Sequence, residues 1–230
     1  MIRNYTDFIR ELQTAGFSGA VNGNEDGVFG LFRYGWGAES EDALYWHTGD
    51  PDTDPWEWRV RVLEERDDIA YGKVFFRKAG YITKEWYPYF LAARRGGLSF
   101  NETYRDGVIS HAAKRIYDTL RDSGSLPVHD IKTLGGFGRA DKSRFDRALT
   151  DLQMGLFITM CGRRQKLTRM GEEYGWASMM YCTAEEFWPD EVSKQADGFA
   201  RDEAAAVIRD RLCRLSTDAD GKKVERFIFG

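Results

Sequence analysis

The most distinctive stretch of the chain runs Trp46-His47-Thr48-Gly49-Asp50-Pro51-Asp52-Thr53-Asp54-Pro55-Trp56-Glu57-Trp58. An imidazole such as His47 moves protons near neutral pH when a carboxylate orients it. Asp50, Asp52 and Glu57 are the nearest carboxylates in sequence, and each has the chemistry to activate a water. Trp56 and Trp58 offer faces on which an extruded nucleobase stacks; the simpler role for both is core packing. A lone histidine among aromatics is more often structural than catalytic, so the catalytic residue stays unassigned. Asp50, Asp52 and Asp54 imitate the opening of a calcium loop. The sixth position is then Pro55 instead of glycine, and the twelfth is Arg61 instead of an acid, so no metal site is expected.

A second group of side chains is cationic. Residues 108–170 hold 12 Lys+Arg against 6 Asp+Glu, a surplus of +6. The whole chain carries −4, so the remainder carries −10. A basic segment inside an acidic chain suits an anionic partner, although a merely solvated charged face has the same composition. Arg139, Lys142, Arg144, Arg147, Arg163 and Arg164 are the candidate phosphate and base-edge contacts. Asp146 and Asp151 lie among them and weaken the patch.

The elements that would position these cations follow from hydrophobic spacing. Ser110 caps a helix with Ala113, Ile116, Tyr117 and Leu120 on one face, and Gly124 ends it. Val128, Ile131 and Leu134 give a second short helix, stopped by Gly135-Gly136. Asp141 starts a third, with Phe145, Ala148, Leu149 and Leu152 buried and Lys142, Ser143, Arg144, Arg147 and Thr150 outward. Leu156 to Cys161 then reads as a strand, Gly162-Arg163 as a turn, and Gln165 to Met170 as the partner strand. Three helices and a hairpin in this order are the pattern of a winged helix-turn-helix, with the third helix entering the DNA groove and Arg163 and Arg164 at the wing.

The flanks are less regular. Thr6 to Thr14 reads as a helix stopped by Gly16. Residues 17–45 carry Gly19, Gly23, Gly27, Gly30, Gly35 and Gly37, consistent with hairpins or loops. Their spacing fits neither a dinucleotide fingerprint nor a P-loop. Asp54, Pro55 and Glu57 form a strong helix start. Ile69 to Phe76 reads as a strand and Tyr81-Ile82 as a short one. Thr83 is expected to cap an aromatic helix from Lys84 to Arg95, with Pro88 forcing a kink or a late start. Trp176 to Cys182 reads as a strand, and Thr183 with Glu186 as a capping box. Ala200 to Leu215 is a helix with Ala204, Val207, Ile208 and Leu212 on one face, which packs on the body or pairs with a second copy.

The expected class is therefore α+β: a central winged helix at 108–182, an aromatic-rich acidic α+β region at 1–100, and a C-terminal helical segment at 183–230. With 42% hydrophobic residues and 7 Trp, disorder is excluded. No apolar run approaches the roughly 18 residues of a membrane span, and Met1 to Leu12 shows no signal-peptide core. A cytoplasmic protein without membrane or cofactor is expected. Cys161, Cys182 and Cys213 are too few and too scattered for a disulfide scaffold and read as buried free thiols.

Two stretches carry a family resemblance. One is the segment 108–182. The other is the block Trp46-His47-Thr48-Gly49-Asp50 and Asp54-Pro55-Trp56-Glu57-Trp58-Arg59, running on to Lys84-Glu85-Trp86-Tyr87-Pro88-Tyr89. Together they resemble bacterial proteins related to the AlkZ-type winged-helix DNA glycosylases. The resemblance implies association with duplex DNA and the removal of alkylated or crosslinked bases. Those glycosylases position the attacking water with a Gln-Xaa-Gln motif. Here the glutamines are Gln13, Gln153, Gln165 and Gln195, no two of them two residues apart, so no catalytic residue is carried over. Three readings follow: a DNA-associated winged-helix protein acting in repair or regulation, a glycosylase-like base-repair enzyme, and a protein-interaction module. The third expects Arg144 and Arg147 to be tied to the acidic N-terminal region.

Overall fold

A computed structural model describes residues 2–19, 28–31, 44–168, 170–189, 191–216 and 220–230. Gly23, Gly27, Gly35 and Gly37 lie outside the described residues. In chain order the elements are α1 (Tyr5–Ala15), β1 (Phe17–Gly19), α2 (Pro55–Glu65), β2 (Ile69–Phe75), β3 (Lys78–Thr83), α3 (Tyr87–Arg95), α4 (Phe100–Arg105), α5 (His111–Ser123), β4 (Leu126–Pro127), α6 (Val128–Leu134), α7 (Lys142–Met154), β5 (Ile158–Leu167), β6 (Glu173–Thr183), α8 (Ala184–Phe187), α9 (Glu191–Asp197), α10 (Arg201–Leu215) and α11 (Gly221–Phe229).

The strands form a six-stranded antiparallel sheet in the order β1-β3-β2-β5-β6-β4. The chain is thus α+β, as expected. Strand side chains alternate between faces, and each face has its own core. Ile69, Tyr71, Tyr81, Ile158, Met160 and Tyr181 point toward α1, α2, α5, α6 and α7, where Phe8, Trp58, Ile116 and Phe145 are fully buried. Ala70, Val74 and Ile82 point the other way, toward α3, α9, α10 and α11, around Phe90, Ile208 and Phe227. The acidic N-terminal region and the basic segment therefore share one sheet and the first of these two cores. The apolar face of α10 packs through Ala204, Ala205, Ile208 and Leu212 into this second core, while Val207 is exposed.

Several expectations are corrected. Gly162-Arg163 is not a turn: β5 runs through it, and Arg163 pairs with Met179. The register shifts at Gly162, where φ is 143°, so the glycine absorbs a bulge without reversing the chain. The partner strand is accordingly β6, not residues 165–170. Leu134 is exposed because α6 is only two turns long and buries Ile131 instead. Thr150 is buried, its hydroxyl donating to the Asp146 carbonyl one turn back. The aromatic helix starts late, at Tyr87, because Pro88 fits only a first turn. Cys182 is buried, but Cys161 is half-buried and Cys213 exposed.

Gly16 shows how closely the layers approach. It ends α1 with φ of 93°, and its amide donates to the Leu12 carbonyl at 2.7 Å. A Cβ at this position would sit 2.3 Å from the Trp86 ring. Gly16→Ala combines a forbidden backbone region with overpacking. It is expected to lower stability by about 2 kcal/mol or more, read as a shifted midpoint in urea unfolding with an unchanged slope.

Candidate nucleic-acid interface

The N-terminal half of α7 is set by what it buries. Phe145, Ala148, Leu149 and Leu152 enter the core, so Lys142, Ser143, Arg144 and Arg147 face solvent. The turn before it is held tightly. Arg115 donates to the Gly135 and Gly136 carbonyls and lies 4.2 Å over Phe137, which meets Phe145 edge-on at 5.0 Å. Asp141 accepts from the Gly138 amide at 3.0 Å and pairs with Arg144 at 3.1 Å. That ion pair is exposed and local, so it hardly neutralises the patch. Among the described residues, Arg139, Lys142 and Arg147 have no carboxylate partner. Four cations therefore crowd the start of one helix, exposed and close to uncompensated.

The β5–β6 hairpin stands beside α7. Arg163 and Arg164 are exposed on β5. Arg163 is committed elsewhere: its Nε lies 3.1 Å from Glu64 and its Nη1 3.9 Å from Glu57, both on α2. Arg164 has no such partner among the described residues. Beyond them the hairpin carries large apolar groups in solvent. Met170 is 87% and Trp176 90% exposed, with Leu167 and Tyr174 also open. Sequence reasoning missed this group because it placed the turn at Gly162 and so read Gln165 to Met170 as a packed strand. The available signal was the alternation of Tyr174 and Trp176 on a strand with no obvious core partner.

The segment 46–59 assembles only in part. Asp54 is fully buried as the N-cap of α2, accepting from Trp56 N at 2.8 Å and Gly49 N at 3.0 Å. Asp50 accepts from Asp52 N and the Thr53 hydroxyl, and these bonds hold its carboxyl below the usual range. Asp52 pairs with Arg61 at 2.7 Å. Among the described residues, no hydrogen bond or ion pair joins His47 to Asp50, Asp52 or Glu57. His47, with φ of 64°, instead packs its ring 4.6 Å from Trp56.

The two tryptophans part company. Trp58 is fully buried and stacked on Phe8 at 5.3 Å, so its face is spent on the core and is closed to a base. Trp56 is 39% exposed and carries the Arg59 guanidinium 3.1 Å over its ring. Arg59 also reaches toward buried Tyr71, which packs on Tyr81 at 4.8 Å. Burial raises both phenol pKa values, with Arg59 opposing, so both stay neutral and act as packing.

The geometry so far describes a mixed α+β protein with a basic helix beside a projecting hairpin. A family model described as AlkZ related matches residues 2–229, and the chain belongs to that family. No curated protein and no solved structure matches it. Among the described residues, no helix is long and apolar enough to cross a membrane.

Asp54 holds the His47 loop to α2. Asp54→Ala removes the acceptor of two part-buried N–H groups, Trp56 N and Gly49 N, and is expected to cost about 1 kcal/mol, whereas Asp54→Asn keeps most of the cap. Thermal unfolding reads the loss. A shift of the His47 ring proton resonances in the alanine variant alone would report that its stacking on Trp56 depends on the cap.

Proposed function

We propose that residues 111–183 form a winged helix that docks on duplex DNA, with α7 in the major groove and the β5–β6 hairpin as the wing. The topology supports this. Helix, short strand, two helices and hairpin follow in order, and β4 pairs with β6 through Leu126 with Tyr181 and Pro127 with Met180. The observation that carries the reading is the exposed group Arg139, Lys142, Arg144 and Arg147 at the end of α7 that a recognition helix presents to DNA. Membership of the AlkZ-related family agrees with a DNA-associated role in repair or regulation.

A second reading, glycosylase-like base repair, rests on one contact. Arg163 ties the hairpin to Glu64 and approaches Glu57 on the helix that carries Trp56. A base extruded beside the wing would meet Trp56 and His47, with Glu57, Asp50 or Asp52 as the carboxylates able to activate water. The protein-interaction reading expects Arg144 and Arg147 bound to N-terminal acids. Arg144 pairs with Asp141 on its own helix turn instead, and Arg163 makes the link to α2.

Anisotropy of a labelled duplex, titrated at several salt concentrations, tests the first reading. Binding is expected to weaken steeply with salt. Arg144→Glu with Arg147→Glu is expected to lower affinity by about tenfold or more and flatten the salt slope, with circular dichroism unchanged. Unaltered affinity in a folded double variant would overturn the assignment. For the second reading, release of base from an alkylated duplex is measured with wild type and Glu57→Gln. Binding without base release leaves DNA association and removes the enzyme.

A further inference from the structure

Where helices of both layers meet, away from the exposed start of α7, lies a cavity of about 460 Å³ walled by the C-terminal ends of α3, α7 and α11 and the starts of α5 and α10. That volume suits a small molecule. Its charge is one-sided. Arg94 donates through Nε to Ile228 O, Nη1 to Met154 O and Nη2 to Phe227 O, each at 2.8 Å. These carbonyls belong to the last turns of α7 and α11, whose partial negative charge favours a guanidinium without cancelling it. Three of its five N–H groups are used and two remain. Among the described residues, no carboxylate pairs with it, and burial lowers its pKa.

Arg201 lines the same cavity. Its Nε donates to Ala93 O at 3.0 Å, and its guanidinium lies 5.2 Å from the Phe229 ring. It too lacks a carboxylate partner among the described residues. Two further charged side chains on the wall are already matched: Arg95 with Glu185 at 2.8 Å, and Asp151 with Arg77 at 2.6 Å. Two cationic side chains are left, Arg94 and Arg201, sharing the cavity with Leu98, Ile109, Phe157, Phe229 and Gly230. Arg94 is half-buried and pays a desolvation cost that an anion supplied from outside relieves, while Arg201 is exposed and adds a second, hydrated charge.

We propose that this cavity binds a small organic dianion, its charged end on Arg94 and Arg201 and its apolar body against Ile109, Phe157 and Phe229. The site is independent of the DNA reading and shares no residue with the exposed cations of α7. Phenyl phosphate is a suitable probe, because it joins a dianionic head to an apolar ring; inorganic phosphate carries only the head.

The test is calorimetric titration and thermal shift on the full chain. Phenyl phosphate is expected to bind saturably and about tenfold more tightly than inorganic phosphate. Arg201→Gln is expected to weaken it by about tenfold or more while leaving the unliganded Tm unchanged, because Arg201 holds only one backbone carbonyl. Arg94→Gln removes three bonds to helix ends and serves only as a stability control. Absence of saturable binding to wild type, or equal binding by Arg201→Gln, would overturn the site. Equal affinity for inorganic phosphate would overturn the apolar half of the ligand.

Discussion

The pairing of β2 with β5 is the join on which the rest of the molecule depends. Tyr71 faces Met160 across it, and the Thr159 hydroxyl donates to the Tyr71 carbonyl at 3.2 Å. On one side lie the strands of the N-terminal region; on the other lies the hairpin that follows α7. Because this contact closes one sheet from two distant segments, the helices have two continuous faces to cover. A central join of few ladder bonds needs side-chain support, and the buried aromatics around Tyr71 and Tyr81 provide it.

The same join fixes the basic helix. Gln153, in the last turn of α7, is buried; its Oε1 accepts from Lys73 N on β2 at 2.9 Å, and its Nε2 donates to Leu149 O. Gly72 leaves room for this amide, since a Cβ there would approach Gln153 to 3.3 Å. Arg94 holds the terminal Met154 carbonyl of the same helix. α7 is thus anchored at its C-terminal end to the sheet and to α3, while its N-terminal end carries the exposed charges. Such an arrangement separates an anchored root from a solvated, charged end, whose entering turn is held by Arg115 and Asp141.

Much of this was legible in the chain. Ser110, Asp54 and Thr183 mark helix starts by side-chain chemistry alone and all three cap, although the expected Thr183–Glu186 box is half made, because the Glu186 carboxylate accepts from Ser125 N instead. The apolar stripes of α5 and α7 identify their buried faces. Three helices escaped. α4 is announced only by the Ser99–Glu102 capping box, α9 is short and polar, and α11 depends on Asp220 and on Val224, Phe227 and Ile228 finding partners across the second core. Hairpin register was misread because a glycine in an apolar strand signals turn and bulge alike, and only the partner strand decides between them. Of the candidate site, the exposure of Lys142, Arg144 and Arg147 follows from helical periodicity. The commitment of Arg163 to Glu64 does not, because it joins residues almost a hundred positions apart.

Among the described residues, both margins of the sheet end in very little ladder. β4 contributes two residues, one of them Pro127, which has no amide to donate, and β1 contributes three, with Gly19 bridged to Gly30 alongside. A long bare edge is a template for another chain, whereas a short one interrupted by proline offers few consecutive bonding groups to copy. At these two margins the described strands therefore offer little for another chain to copy.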